Sequence, residues 1–178
     1  ESLDRTADAY RRIRNTLRFL MGNLNDFDFT KDKVAAEEYA ELDKWITLKA
    51  RNIQEEVIKD YENFEIHLAF QKILNFCTNE LGGFYLDIIK DRLYTSKKEG
   101  VARRSAQSSM FQIYSSLLTL ISPILSFTAE EAYLEKNGEG SSIFLSSWFD
   151  DWEDFDHKIE DDLWAQLVSL KNNVNKEI

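Results

Sequence analysis

Pro123 is the only proline in 178 residues, and glycine occurs six times. A chain with so few helix-stopping residues is free to run as long helices. A many-stranded sheet, which needs glycine- and proline-rich turns, is not its natural solution. Apolar side chains must then recur at helical spacing, and they do from the start. Leu3, Ala7, Tyr10, Leu17, Met21 and Leu24 are three, four and seven apart, the period of a buried stripe. Arg11, Arg14 and Arg18 repeat the same spacing on a neighbouring stripe, with Asn15 beside them. The stretch 8–27 therefore predicts an amphipathic helix with one face for a core and one row of guanidinium groups.

The same reading continues along the chain. The first helix is expected to end near residue 24, where Asn23, Asn25, Asp26, Asp28 and Thr30 form a connection. A second helix is expected over 34–64, with Tyr39, Leu42, Ile46, Ile53, Val57 and Tyr61 facing inward. A third is expected over 66–81, its core face being Ala69, Ile73, Phe76 and Cys77. Gly82 and Gly83 are expected to weaken or kink it, at roughly 1 kcal/mol each relative to alanine. The helical pattern resumes with Phe84, Ile88 and Leu93 and gives way to a basic loop over 95–100.

A fourth long helix is expected over 101–121 (Ala106, Met110, Ile113, Leu117, Leu120), stopped by Pro123. Thr128 followed by Glu131 reads as a capping box that starts a short helix at Ala129. Ile143 to Leu145 reads as a brief strand or extended run, and a last helix begins near Glu160. The predicted fold class is all-α. It is an antiparallel helix bundle of four to five main helices (core 1–127) with a short, mostly irregular acidic extension (128–178), in one domain.

Charge is unevenly distributed. Residues 128–162 carry twelve acids and two lysines, whereas residues 1–127 carry nineteen acids and eighteen bases. The net charge of −10 is thus a property of one late segment. It does not exclude a local basic surface. Cys77 is the single cysteine, so neither an internal disulfide nor a cysteine zinc cluster is available, and a cytoplasmic protein is expected. Cys77 itself reads as a core filler. No apolar run is long enough to span a bilayer. His67 and His157 have no partner at metal-ligand spacing. The acids 150–154 lack the alternation and glycine of a calcium loop and read as solvated surface, with Trp148 and Trp152 packing onto the bundle. No phosphate-binding glycine loop, nucleophile elbow or catalytic pair is present, so no active site is expected. Neither end reads as a natural terminus, and a piece of a longer protein is expected.

Two cationic sets remain. Arg11, Arg14 and Arg18 suit phosphate, because the planar guanidinium binds it bidentately and stays charged. Lys90, Arg92, Lys97, Lys98, Arg103 and Arg104 gather around a helix end, a loop and a helix start. Each set has a second reading, as ion-pair partners of neighbouring helices or as a solvated loop. On pattern alone that second reading is the commoner for the arginine row. The residues by themselves leave open an RNA-binding bundle and a helical protein-interaction bundle with no RNA role.

Longer stretches narrow this. DAYRRIRNTLRFLMGNLNDFD, LDKW at Leu42 to Trp45 and FCTNELGGFYLDIIKDRLYT at Phe76 to Thr95 resemble the anticodon-binding helical domain of bacterial isoleucyl-tRNA synthetases, of class I. So do RRSAQ at Arg103 to Gln107, PILSFTAEEAY at Pro123 to Tyr133 and SIFLSSW at Ser142 to Trp148, in the same order. The resemblance implies a tRNA-binding piece of an enzyme that joins isoleucine to its tRNA with ATP. The catalytic sequences of such enzymes, their editing domain and their zinc-binding tail are not in this stretch. No cofactor is therefore expected in it, ATP and zinc belonging elsewhere in the longer enzyme. The implied partners are isoleucine-specific tRNA and the catalytic domain of the same longer chain.

The resemblance also implies that the bundle docks on the anticodon stem-loop, whose unpaired bases can be splayed and read. Arg11, Arg14, Arg18, Lys90, Arg92, Arg103 and Arg104 would then contact phosphate. Asn15 would bond a base or a ribose 2′-hydroxyl, or else cap a backbone group. Docking would orient the tRNA so that its acceptor end reaches the catalytic site.

Overall fold

The computed structural model describes residues 2–155 and 161–177, and every regular element in them is helical. Helix α1 spans Ser2–Gly22 and is followed by the short α2 at Phe29–Asp32 and a 3-10 turn at Ala36–Glu38. Helix α3 spans Glu41–Glu62. Phe64, at φ 60°, then turns the chain back into a long rod. The rod comprises α4 (Ile66–Asn75), a π-helical stretch (Phe76–Tyr85) and α5 (Leu86–Thr95). Helix α6 spans Val101–Ile121, α7 spans Ser126–Asn137, and α8 spans Asp161–Glu177. Between α7 and α8 the chain is a 3-10 turn at Ile143–Leu145 and then extended backbone.

Helix α6 is the central post: most of its side chains are buried on all sides. Its company is unusual for a core, because Ser105, Ser108, Ser109 and Ser116 are buried along with Met110, Ile113 and Leu117. The serines let α3 come close, and each finds a hydrogen bond, as buried hydroxyls must. Ser105 donates to Asp43, Thr47 to Ser109 at 2.8 Å and Ser116 to Gln54 at 2.6 Å. Near the far end the Tyr61 hydroxyl donates to the Leu120 carbonyl at 2.6 Å. Residue numbers rise together along this ladder, so α3 and α6 run the same way. Asp43 meets Arg92 and Asp60 meets Lys72, so the rod runs opposite to α3. This is the alternating bundle that the sequence predicts, with α3 and α6 as its like-directed pair.

Several local expectations need correction. In α1 the buried stripe is Ile13, Leu17 and Leu20, continued by Leu24 just past its end, and Leu3 is 84% exposed. The first turns extend past the core, so the apolar period begins later than Leu3. The second helix begins at Glu41, because residues 33–40 are taken up by a 3-10 turn and extended links. Thr128 is not a cap: α7 starts at Ser126, and the Thr128 hydroxyl lies 3.1 Å from that of Tyr10. Ile143–Leu145 is a 3-10 turn, and no strand occurs among the described residues.

Gly82 and Gly83 do not break the rod. They sit in wide turns whose carbonyls five residues back come very near. A Cβ on Gly82 would lie 2.7 Å from the Cys77 carbonyl oxygen, and one on Gly83 would lie 2.9 Å from that of Thr78. The absent side chain is what permits the wide turn. Cys77 is buried there as a filler, and burial pushes its thiol up to about 12.

The acidic stretch is strapped down. The Phe149 carbonyl accepts from Gln54 Nε2 at 2.7 Å, and the Glu153 amide donates to Gln112 Oε1 at 2.7 Å. Glu153 pairs with Lys33 at 2.7 Å and Asp154 with Arg51 at 2.8 Å. Trp148 stacks on Tyr61, and Trp152 packs edge-on against Phe149. Of the expected solvated acids, Asp150, Asp151 and Asp154 are exposed, and only Glu153 is drawn inward. His67 is exposed, 3.6 Å from Glu65, and His157 lies outside the described residues. No helix is long and apolar enough to cross a membrane among the described residues.

Candidate nucleic-acid interface

On α1, burial of Ile13, Leu17 and Leu20 turns Arg11, Asn15 and Arg18 outward as one exposed ridge. Their spacing of four and three places them one above another on the helix. Arg11 pairs with Asp8 at 3.0 Å, an exposed contact of the kind worth little in water. Arg12, which the spacing argument passed over, is also exposed on this helix. Arg14 is half-buried at the edge of the ridge. Neither Arg14 nor Arg18 makes an ion pair among the described residues.

Arg14 and Arg18 form one wall of a groove between α1 and α7, with a cavity volume of about 440 Å³. Leu17, almost fully buried, lines it together with Met21 and Ala132. Glu131 and Glu135, one turn apart on α7, form the opposite wall. Thr128, tied to Tyr10, lines one end, and Gly22 lines the other, where an added Cβ would meet nothing within 4 Å. Nothing in the spacing of α7 pointed to this wall. The two glutamates become functional candidates only when α7 is seen lying beside α1.

The second cationic set is put to a different use. Arg92 grips the fully buried Asp43 with two nitrogens, at 2.5 and 3.0 Å. Asp43 also accepts from the Tyr85 hydroxyl at 2.7 Å and from Ser105, so α3, α5, α6 and the π turn meet on one carboxylate. Arg103 holds Asp26 at 2.7 and 3.0 Å. Arg104 is buried and donates to the Asp26 carbonyl at 2.8 Å and to Gln107 at 2.9 Å. The Arg103 hydrogen bonds hold the Asp26 carboxyl down at about 2 against the opposing effect of its burial, with Gln107 adding to the pull.

Arg92, Arg103 and Arg104 are therefore internal clamps, and their guanidiniums are spent on aspartates. Lys90 is half-exposed and pairs with Asp87 at 3.2 Å. Lys97 and Lys98 are exposed in the loop that Arg103 anchors through the Lys98 carbonyl. Because Arg103 also holds Asp26, this loop sits beside the C-terminal end of α1. The loop lysines thus lie near the segment that follows α1, and the three clamping arginines are not part of the exposed ridge.

Comparison with known proteins agrees with this arrangement. Residues 43–178 match the family model described as the anticodon-binding domain of tRNA ligase. Proteins named isoleucine–tRNA ligase from Shewanella sp. strain MR-4, Shewanella putrefaciens strain CN-32 and Shewanella baltica strain OS155 are each 48% identical to it over 181 aligned positions. Each alignment takes in 100% of this chain and 19% of the relative, so the chain spans about a fifth of their length. Bundle, groove and likeness together place the chain in the family of anticodon-binding domains of tRNA ligases.

Proposed function

We propose that this domain binds the anticodon stem-loop of isoleucine-accepting tRNA, as part of a longer cytoplasmic isoleucine–tRNA ligase. A catalytic domain elsewhere in that chain would join isoleucine to the tRNA with ATP. The domain's contribution would be orientation: a tRNA held at its anticodon end presents its acceptor end at a fixed distance. The names of the relatives support the amino-acid identity. The observation that carries the binding mode is the α1 ridge, where Arg14 and Arg18 are left without a carboxylate partner among the described residues. In a protein that pairs Arg92, Arg103 and Arg104 so thoroughly, two uncommitted guanidiniums side by side suit an external anion. Arg11 and Asn15 would extend the contact along the ridge, and Lys90, Lys97 and Lys98 would add field at its end. Arg92, Arg103 and Arg104 would act through the fold.

Titration of the domain with tRNA at several salt concentrations tests this. Affinity should fall steeply as salt rises, since each neutralised phosphate releases counterions. The double variant Arg14→Ala, Arg18→Ala should bind at least roughly tenfold more weakly and flatten the log–log salt slope by about 1.5–2. Its melting temperature should stay near that of the parent. Salt-independent binding, or an unchanged affinity in the double variant, would refute the reading.

A further inference from the structure

Lys136 differs from the other described lysines in what surrounds its amine. It lies in the last turn of α7 and is exposed as a residue, so a small reagent reaches it. Its Nζ, however, is laid over the Phe111 ring, 3.7 Å from the centroid, and is 5.4 Å from that of Tyr114. The amine borders a pocket of about 240 Å³, walled by Phe111, Tyr114, Tyr133 and Phe149. No carboxylate lines that pocket, and Glu135, its neighbour in sequence, lines the groove toward α1. Lys136 makes no ion pair among the described residues. Lys33 and Lys171 also lie over rings, but each is held by a carboxylate. The other titratable groups facing Lys136 are two phenols, Tyr133 on α7 and Tyr114 on α6. Burial pushes Tyr114 up, so it stays uncharged, and it donates to the Ala132 carbonyl at 3.0 Å.

We propose that Lys136 is an acylation site, taking the acyl group of an acyl phosphate onto Nζ. This goes beyond the RNA reading and does not depend on it. An amine must be neutral to attack. A carboxylate would hold it as the ammonium, and none is present. The ring face and the helix end favour the charged form only weakly. Loss of water acts the other way and brings the ammonium down to about 8. At pH 7.5 roughly a quarter of such an amine is neutral, against about one in a thousand for an ordinary lysine. A less basic amine is also a weaker nucleophile, and on the slope that thiols follow this takes back about tenfold, leaving an advantage of roughly tenfold. In the step itself the nitrogen lone pair bonds to the acyl carbon and the bond from that carbon to the phosphate oxygen breaks. Phosphate leaves with the electron pair, and the amine proton passes to water. Ser115, Ser146 and Ser147 line the pocket with hydroxyls that make no hydrogen bond among the described residues. They can donate to the acyl oxygen as it gains charge. The product is a neutral amide where a cation lay on Phe111.

The test adds acetyl phosphate to the native chain at pH 7.5 and follows acetylation lysine by lysine by mass spectrometry. Lys59, Lys97 and Lys98 serve for comparison, being exposed with neither an ion pair nor a ring contact among the described residues. Lys136 should acetylate roughly tenfold faster than any of them. Its rate should level off between about pH 8 and pH 9, since an amine already neutral gains nothing from further base. In concentrated urea the ratio should fall to about twofold or less, because the unfolded chain has no pocket. A Lys136 rate no greater than the comparison lysines, a rate still climbing steeply above pH 9, or an advantage that persists in urea would overturn the proposal. Binding of tRNA stands or falls separately, on the salt titration above.

Discussion

A guanidinium in this protein takes its role from the nearest carboxylate. Arg103 and Arg92 look alike in the sequence to Arg14 and Arg18, but Asp26 lies 77 positions from Arg103 and Asp43 lies 49 positions from Arg92. No local spacing could have revealed those partners, and this is why the second basic set reads as an RNA surface until the chain is folded. The arginine row on α1 was legible, because its period is local. The glutamate wall was not, since it depends on two helices 118 positions apart meeting at Tyr10 and Thr128. The Asp26 clamp has a pH signature. Its folded carboxyl sits at about 2, below the ordinary value near 3.8, so its stabilising effect is complete above pH 4 and fades as pH falls toward 2. Urea melts should show Asp26→Asn less stable than the parent by about 2 kcal/mol at pH 7, with the gap closing between pH 4 and pH 2. A gap of constant size across that range would show that the carboxylate charge is not what matters there.

Helix bounds were readable where glycine or proline punctuates the chain, and less so at the start of α3, expected near residue 34 and found at Glu41. Helix α6 was expected over 101–121 and spans Val101–Ile121, because a loop glycine precedes it and a proline follows it. The rod shows where such reading stops. Propensity treats Gly82 and Gly83 as weak points in an α-helix, but propensity scales describe α turns, and these residues sit in π turns with carbonyls pressed close. The sign of a substitution follows from that difference. Gly82→Ala, which gains about 1 kcal/mol in an ordinary helix, should instead destabilise the domain by at least about 1 kcal/mol. Equal or greater stability in urea melts would mean that the rod can revert to α turns. The close approach of α3 to α6 was equally hidden. It depends on buried serines, which a hydrophobic pattern passes over.

For the whole molecule, net charge is a poor guide to surface field. The acids of the late segment are partly consumed in holding the fold, with Glu130 accepting from the Ile143 amide at 2.9 Å and Glu153 and Asp154 pairing with Lys33 and Arg51. The basic ridge belongs to the near-neutral portion of the chain. The extension expected to be mostly irregular is irregular only over 138–155 among its described residues, apart from one 3-10 turn, with helices on either side. Within that span the two ends differ. Gly138 and Gly140, at φ 77° and 105°, are exposed and meet nothing, whereas 148–155 is bonded to α3 and α6. A protease offered the folded domain in trace amounts should therefore nick 138–141 well before 148–155. The two fragments should then co-elute on a sizing column, because the downstream piece remains stitched to the bundle. Early cleavage within 148–155 would show that the stitching breathes open faster than its hydrogen bonds suggest.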